Sequence, residues 1–169
     1  AETTPLAVRL LLDGRMGFSF ATQLTPEAVR RAIQFASGTA RCLDADDHYA
    51  FPKTTATPLP AMNLYDPRVP STPDEEKIKL ALELEASSLR AHRSVKRVRK
   101  SAYEELFGTV YLANSNGLQL SYSKTYCSLS LMAVAEKGGE SENAWDFQFS
   151  SFLDDLDAEA LGKKVARKA

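Results

Sequence analysis

Histidine is scarce in this chain: His48 and His92 are the only two among 169 residues. A hydrolytic zinc site needs about three protein ligands, commonly two of them histidines one turn apart on a helix. No His-Glu-x-x-His or variant of it occurs. Cysteine is equally sparse, with Cys42 and Cys127 far apart. The two could still pair, but reduced thiols of a cytosolic protein are the simpler reading. Cys127 has no histidine near it in sequence and Cys42 follows a helix rich in Ala, so inert cysteine is favoured over a nucleophile. Long apolar runs are missing too; none approaches the ~20 residues of a membrane span. Nor does a basic-then-apolar leader open the chain. Net charge is −1, which gives no global basic field to attract nucleic acid or anionic lipid. There is no Gly-rich phosphate loop, because Gly138-Gly139 reads as a hairpin turn.

One acidic loop invites a calcium reading: Asp44, Asp46, Asp47 and His48. An EF-hand, however, requires Gly at loop position 6 and Glu at position 12, and Tyr49 and Thr55 occupy those places. A solvated loop explains the cluster better. His92 sits at a helix end beside Arg90 and Arg93, where a cation suits the helix dipole.

What the chain does have is alternation. Between Thr109 and Val134 two alternating runs pivot about Asn114-Ser115-Asn116-Gly117, and Asn-Gly supplies the positive φ of a tight turn. Val110 and Leu112 share one side on the way in. Leu118, Leu120 and Tyr122 alternate with Gln119, Ser121 and Ser123 on the way out. The pattern predicts a sheet with one greasy face and one face of hydroxyls and amides. The expected strands are 96–102, 105–114, 118–126 and 128–136. The apolar phase slips from even to odd positions between Lys124 and Leu129, which predicts a bulge or sharp bend there.

The remaining elements follow from caps and turns. Leu6, Val8, Leu10 and Leu12 alternate, Asp13-Gly14 turns the chain, and Met16, Phe18 and Phe20 return it as a second hairpin. Thr25 caps a helix with Pro26 at its first position. Thr72-Pro73-Asp74-Glu75 reads as a capping box opening a helix to about Ala91. On that helix Ile78, Ala81, Leu82, Glu85 and Leu89 share one side, with Leu80 and Leu84 roughly opposite. Apolar residues on two sides suit either a sandwiched helix or one awaiting a partner, although leucine also sits exposed without harm. Trp145, Phe147 and Phe149 alternate in a last strand, and Asp157 caps a closing helix.

Between Leu43 and Pro70, five prolines (52, 58, 60, 67, 70) break any regular element. Tyr49, Phe51, Met62, Leu64 and Tyr65 are its candidate apolar anchors. We expect an arm strapped to the surface, with disorder of its Thr-rich middle as the alternative. Together these patterns predict a single α+β domain over 1–169: an antiparallel meander with about three helices on one side. The chain opens without Met and closes on a helical pattern without a terminating Gly or Pro, so a fragment of a longer protein is expected.

Leu112-Ala-Asn-Ser-Asn-Gly-Leu118, the Ser/Tyr-rich run after it and Ala135-Glu136-Lys137-Gly138 resemble the TldD/PmbA proteins. So do Asp13-Gly14-Arg15-Met16-Gly17-Phe18, Leu64-Tyr65-Asp66-Pro67 and the helix from Glu75. The resemblance covers almost the whole chain and looks closer to the PmbA (TldE) branch. It implies the N-terminal domain of a cytoplasmic, heterodimeric metallopeptidase subunit of a family historically called modulators of DNA gyrase. It also implies that a zinc-like metal is bound by a later His-Glu-x-x-x-His helix of a TldD-type partner. No position here matches those ligands, so neither a catalytic nor a metal-binding residue is assigned.

Two functions remain in view. In one, Asn114, Asn116, Gln119, Ser121 and Ser123 face an extended peptide, which the polar face or its edge guides by strand addition. Their other reading is a turn and a wetted face. In the other function the domain is an assembly module, with Leu80, Leu84 and Tyr65 meeting a TldD-type subunit or a second copy. Nucleic-acid binding is disfavoured. Arg90, Arg93, Lys96, Arg97, Arg99 and Lys100 form a cationic run, but no aromatic is interleaved before Tyr103. Cations on an edge strand also prevent edge-to-edge aggregation.

Overall fold

A computed structural model of the chain describes residues 3–53 and 62–169. The Thr-rich middle of the arm lies outside the described residues. Where one domain is expected, the described residues divide into two compact units, one of residues 3–53 with 114–118, the other of 62–113 with 119–169.

The first unit holds β1 (Leu6–Leu12), β2 (Arg15–Ala21) and α1 (Pro26–Arg41). β1 and β2 pair antiparallel in register from Leu6–Ala21 to Leu12–Arg15, as their alternation predicts. Asp13 and Gly14 both take positive φ, 50° and 74°, which is the two-residue turn that matches strand twist. Thr25 accepts from the Ala28 backbone N–H, and Pro26 starts the helix. Gly17 is required because a Cβ there would lie 1.8 Å from the Ala36 carbonyl oxygen. The helix therefore presses directly on β2, with Ala32, Ala36 and Ala40 buried.

The second unit carries α2 (Arg68–Ser71), α3 (Asp74–Ala91), β3 (Val95–Ala113), β4 (Gln119–Lys137), β5 (Glu140–Ser150), a 3-10 turn (Leu153–Asp155) and α4 (Ala158–Lys168). The sheet order is β3-β4-β5, antiparallel throughout. This is the expected α+β meander, with α3 and α4 against one face. On that face lie Cys127, Leu129, Leu131 and Ala133 of β4, all completely buried with Leu84 and Val165 of the helices. α4 approaches α3 closely at Gly162, where a Cβ would meet the Leu84 carbonyl oxygen and Ser87 Cβ at 2.8 Å.

Four expectations are corrected here. The four short strands are two long ones, β3 and β4, paired residue for residue from Ser101–Leu131 to Ala113–Gln119. No bulge falls between Lys124 and Leu129; register shifts sit instead at Val95/Arg97 and Val98/Lys100. The apolar phase slips because opposite faces carry the apolar residues at the two ends of β4: odd positions meet the helices, while Leu120 and Tyr122 stand on the other face. The capping box fails because the Thr72 hydroxyl donates back to the Arg68 carbonyl at 2.7 Å, closing α2 rather than opening α3. Finally, the arm does contain a helical turn, since Pro67 and Pro70 fall where a short helix tolerates proline.

Candidate functional site

The arm shows how a polar residue can outweigh apolar anchors. Met62, Tyr49 and Tyr65 remain exposed, whereas Asp66 and Val69 are buried. The Asp66 backbone N–H donates to Thr125 Oγ1 at 2.9 Å. That hydroxyl donates in turn to the Ser151 carbonyl at 2.7 Å. The Asp66 carboxylate accepts from the Arg68 backbone and guanidinium at 3.0–3.1 Å and from the Leu153 N–H at 3.0 Å. Hydrogen bonds from Arg68 outweigh burial and hold the Asp66 carboxyl at about 2, below its ordinary range. Arg68 also grips Asp154 at 2.8 Å. The group is a lock between arm, β4 and the 3-10 turn, and every member is satisfied.

A second polar cluster lies beneath β3. Lys77 Nζ meets Glu105 Oε1 at 2.7 Å, and the Tyr103 hydroxyl donates to Glu105 Oε2 at 2.9 Å. Burial, then the Glu105 hydrogen bond, pushes the Tyr103 phenol upward. Cys127 is buried nearby, and desolvation raises its thiol to about 11. That thiol is neutral near pH 7 and makes a poor nucleophile. Cys42 is exposed and unpaired in a disulfide.

The residues assigned to a peptide-facing surface separate into two groups. Asn114 and Asn116 form the hairpin tip. Asn114 Oδ1 accepts from the Asn116 and Leu118 N–H groups at 2.9 and 3.1 Å. Their side-chain amides donate to the Pro52 and Phe51 carbonyls at 2.8 and 2.9 Å. Both amides are thus engaged in structure. Gln119, Ser121 and Ser123 instead stand exposed along β4, where Ser123 Oγ meets Thr109 Oγ1 at 2.9 Å. Tyr111 and Phe107 of β3 share that face by register and are also exposed. The distal hairpin therefore offers a band of hydroxyls and an amide bordered by two aromatic rings.

The interface residues need correction. Leu84 is completely buried, and Leu80 packs on the same core, so that side of α3 is filled within its own unit. The exposed apolar residues of α3 are Ile78, Leu82 and Leu89. Helical spacing alone puts apolar residues on two sides and cannot rank them. Sequence reasoning also missed the sheet face away from the helices. There Trp145, Phe147 and Phe149 stack along β5 at centroid spacings of 5.1 and 5.9 Å, and Tyr126 joins at 5.9 Å. The alternation of the three β5 aromatics was the available signal. Register puts Leu106, Val110, Leu112, Leu120 and Tyr122 on this same face. The greasy face of the distal hairpin is therefore open to water rather than packed.

The edge of β5 is partly closed. Its Phe147 N–H donates to Asp146 Oδ1 at 2.9 Å, and Asp146 is clamped by Lys164 and Lys168 at 2.8 Å each. Those two lysines hold its carboxyl well below the usual range. Among the described residues no group of three His, Cys, Asp or Glu could hold an ion. In the acidic loop His48 Nδ1 lies 2.9 Å from Asp46 Oδ1 with its ring almost fully exposed, a solvated pairing. No described helix is long and apolar enough to cross a membrane.

Comparison with known proteins agrees with this geometry. Residues 67–169 match the PmbA/TldA metallopeptidase central domain. That match falls within the second unit. The chain is 28% identical over 166 residues to Metalloprotease PmbA of Escherichia coli O157:H7, covering 96% of this chain and 36% of that protein. A candidate modulator of DNA gyrase from Bacteroides thetaiotaomicron shares the fold, with TM-score 0.81, 23% identity and coverage of 97% of this chain and 38% of that one. TldE of Thermococcus kodakarensis gives TM-score 0.77 at 19% identity, covering 97% and 37% of the two chains. The chain thus spans little more than a third of the length of these relatives. On the match over more than half of its residues, the chain belongs to the PmbA/TldD metallopeptidase family.

Proposed function

We propose that this chain is a non-catalytic part of a PmbA-type subunit that supports peptide hydrolysis by guiding substrate and joining subunits. The observation that carries the reading is the distal half of the β3–β4 hairpin, exposed on both faces and lined on one of them by hydroxyls and an amide. Gln119, Ser121 and Ser123 supply donors and acceptors, while Phe107 and Tyr111 supply apolar contact. An extended peptide would run beside the distal end of β3, where main-chain groups give affinity and alternate side chains give selectivity. The β5 edge suits this less, because Asp146 already occupies an edge N–H. Hydrolysis itself would fall to a TldD-type partner, where a metal of the zinc class would supply Lewis-acid chemistry.

The test is Gln119→Lys with Ser121→Lys in the assembled peptidase. The reading expects peptide turnover to fall with assembly unchanged. Turnover equal to wild type would remove the guiding role. A pure assembly role is the second reading, and the uncovered aromatic face favours it.

A further inference from the structure

We infer that the distal edge of β3, Leu106 to Ala113, is the strand-adding edge of the second unit, and that it selects uncharged extended peptides of β-branched and aromatic residues. The inference deepens the substrate-guiding part of the proposed function by naming the peptide class, and rests on it.

Two hydrogen bonds fix which main-chain groups face outward. The Thr125 N–H donates to the Leu64 carbonyl at 3.0 Å, away from β3. Opposed residues of an antiparallel pair either bond each other or both turn away. Phe107, which register places opposite Thr125, therefore turns its N–H and C=O outward, and so do Thr109 and Tyr111. The Asn114 N–H donates to the Leu118 carbonyl at 3.0 Å, which sets the inward groups on even positions. Among the described residues no backbone partner reaches the outward set.

Proteins blunt the free edges of their sheets, and the other edges here carry such devices. On β5 the outward Phe147 N–H is taken by Asp146, which Lys164 and Lys168 hold. On β4, past the end of β5, Leu64 and Asp66 of the arm engage the Thr125 N–H and hydroxyl. On proximal β3, two register shifts and the cations Lys96, Arg97, Arg99 and Lys100 spoil a ladder. Distal β3 has none of these. Its register is unbroken, and no charged side chain occurs between Leu106 and Ala113.

Gly108 is a separate sign. Its φ is not positive, and among the described residues a Cβ there would meet nothing within 4 Å. Neither turn nor packing asks for glycine, and a glycine inside a strand marks a place where another backbone comes close.

Selectivity follows from alternation. A peptide residue bonded to Phe107, Thr109 or Tyr111 lies beside those side chains, and its neighbours lie on the opposite face beside Leu106, Val110 and Leu112. A charged residue at any of these places loses water without gaining a partner, whereas β-branched and aromatic residues pack there. At ~3.3 Å per residue the edge is about 26 Å long, room for roughly six to eight peptide residues.

The probe is a capped, dye-labelled hexapeptide alternating threonine with valine and tyrosine, followed by anisotropy and by amide exchange of the chain. Binding is expected, with exchange slowed at Phe107, Thr109 and Tyr111. Glutamate in place of the threonines should weaken it ~tenfold. N-methylation of alternate peptide residues should abolish binding in one phase and spare it in the other. Thr109→Pro removes an outward N–H and no ladder bond; it should weaken binding about fivefold, the worth of one hydrogen bond, with the circular dichroism spectrum retained. Equal affinity of the two N-methylated peptides overturns the inference. Binding that survives Thr109→Pro but is lost on Gln119→Lys with Ser121→Lys also overturns it, and leaves the guiding role of the polar face standing. Outward amides already protected in the assembled peptidase before peptide is added overturn it too, since the edge then has another occupant. No binding at all overturns it, and the turnover test above then decides the guiding role by itself.

Discussion

Replacing Asp66 with Asn tests whether the arm is held by charge rather than by its apolar residues. The native carboxyl sits at about 2 against an ordinary 3.8. At 1.36 kcal/mol per unit that preference corresponds to about 2 kcal/mol of folding stability. Asn keeps an acceptor for the Leu153 N–H but loses the charge that Arg68 neutralises. In a chain of this size the loss should lower Tm by about 4–8 °C. The pH dependence supplies the sign. A depressed carboxyl contributes fully above the unfolded value near 4, and the contribution disappears as pH falls through about 2. Urea titrations of wild type and Asp66→Asn should therefore differ near pH 7 and converge toward pH 2. Equal stability at pH 7 would refute the lock, and a gap that persists at pH 2 would show that its origin is not the carboxylate charge.

Other outcomes follow from packing. Leu84→Glu should unfold the second unit, costing more than 4 kcal/mol because it buries an unpaired charge, whereas Leu82→Glu should change stability by less than about 0.5 kcal/mol. Thermal melts distinguish the two. Gly17→Ala should disrupt the first unit, since the Ala36 carbonyl stands where the methyl would go; loss of β1–β2 amide protection in hydrogen exchange checks it. At pH 8 one thiol per chain, Cys42, should react promptly with iodoacetamide, and Cys127 only after denaturation, because burial raises it to about 11.

The legible parts of the sequence were those governed by local chemistry. Asp13-Gly14 fixed one hairpin, Asn116-Gly117 the other, and Thr25 and Asp157 cap their helices as read, each accepting from a backbone N–H three residues on. Thr72 misled because its hydroxyl donates back to the Arg68 carbonyl and closes a short helix that periodicity does not show. The four-strand reading failed for a related reason. Alternation reports which face is apolar, not which face is covered, and β4 changes its apolar face along its length while pairing continuously. Leu84 and Leu82 differ by two positions and look alike in composition, yet tertiary packing buries one and leaves the other in water. The aromatic face was legible as Trp145, Phe147 and Phe149, but its continuation onto Leu106 and Tyr122 required strand register.

The central claim is that this chain holds and joins while a different polypeptide breaks bonds. It is tested most directly by incubating the purified chain with an unstructured peptide and zinc, with and without a chelator, and measuring cleavage. The account predicts no cleavage above the buffer rate in either case. Cleavage that zinc supports and the chelator abolishes would contradict it.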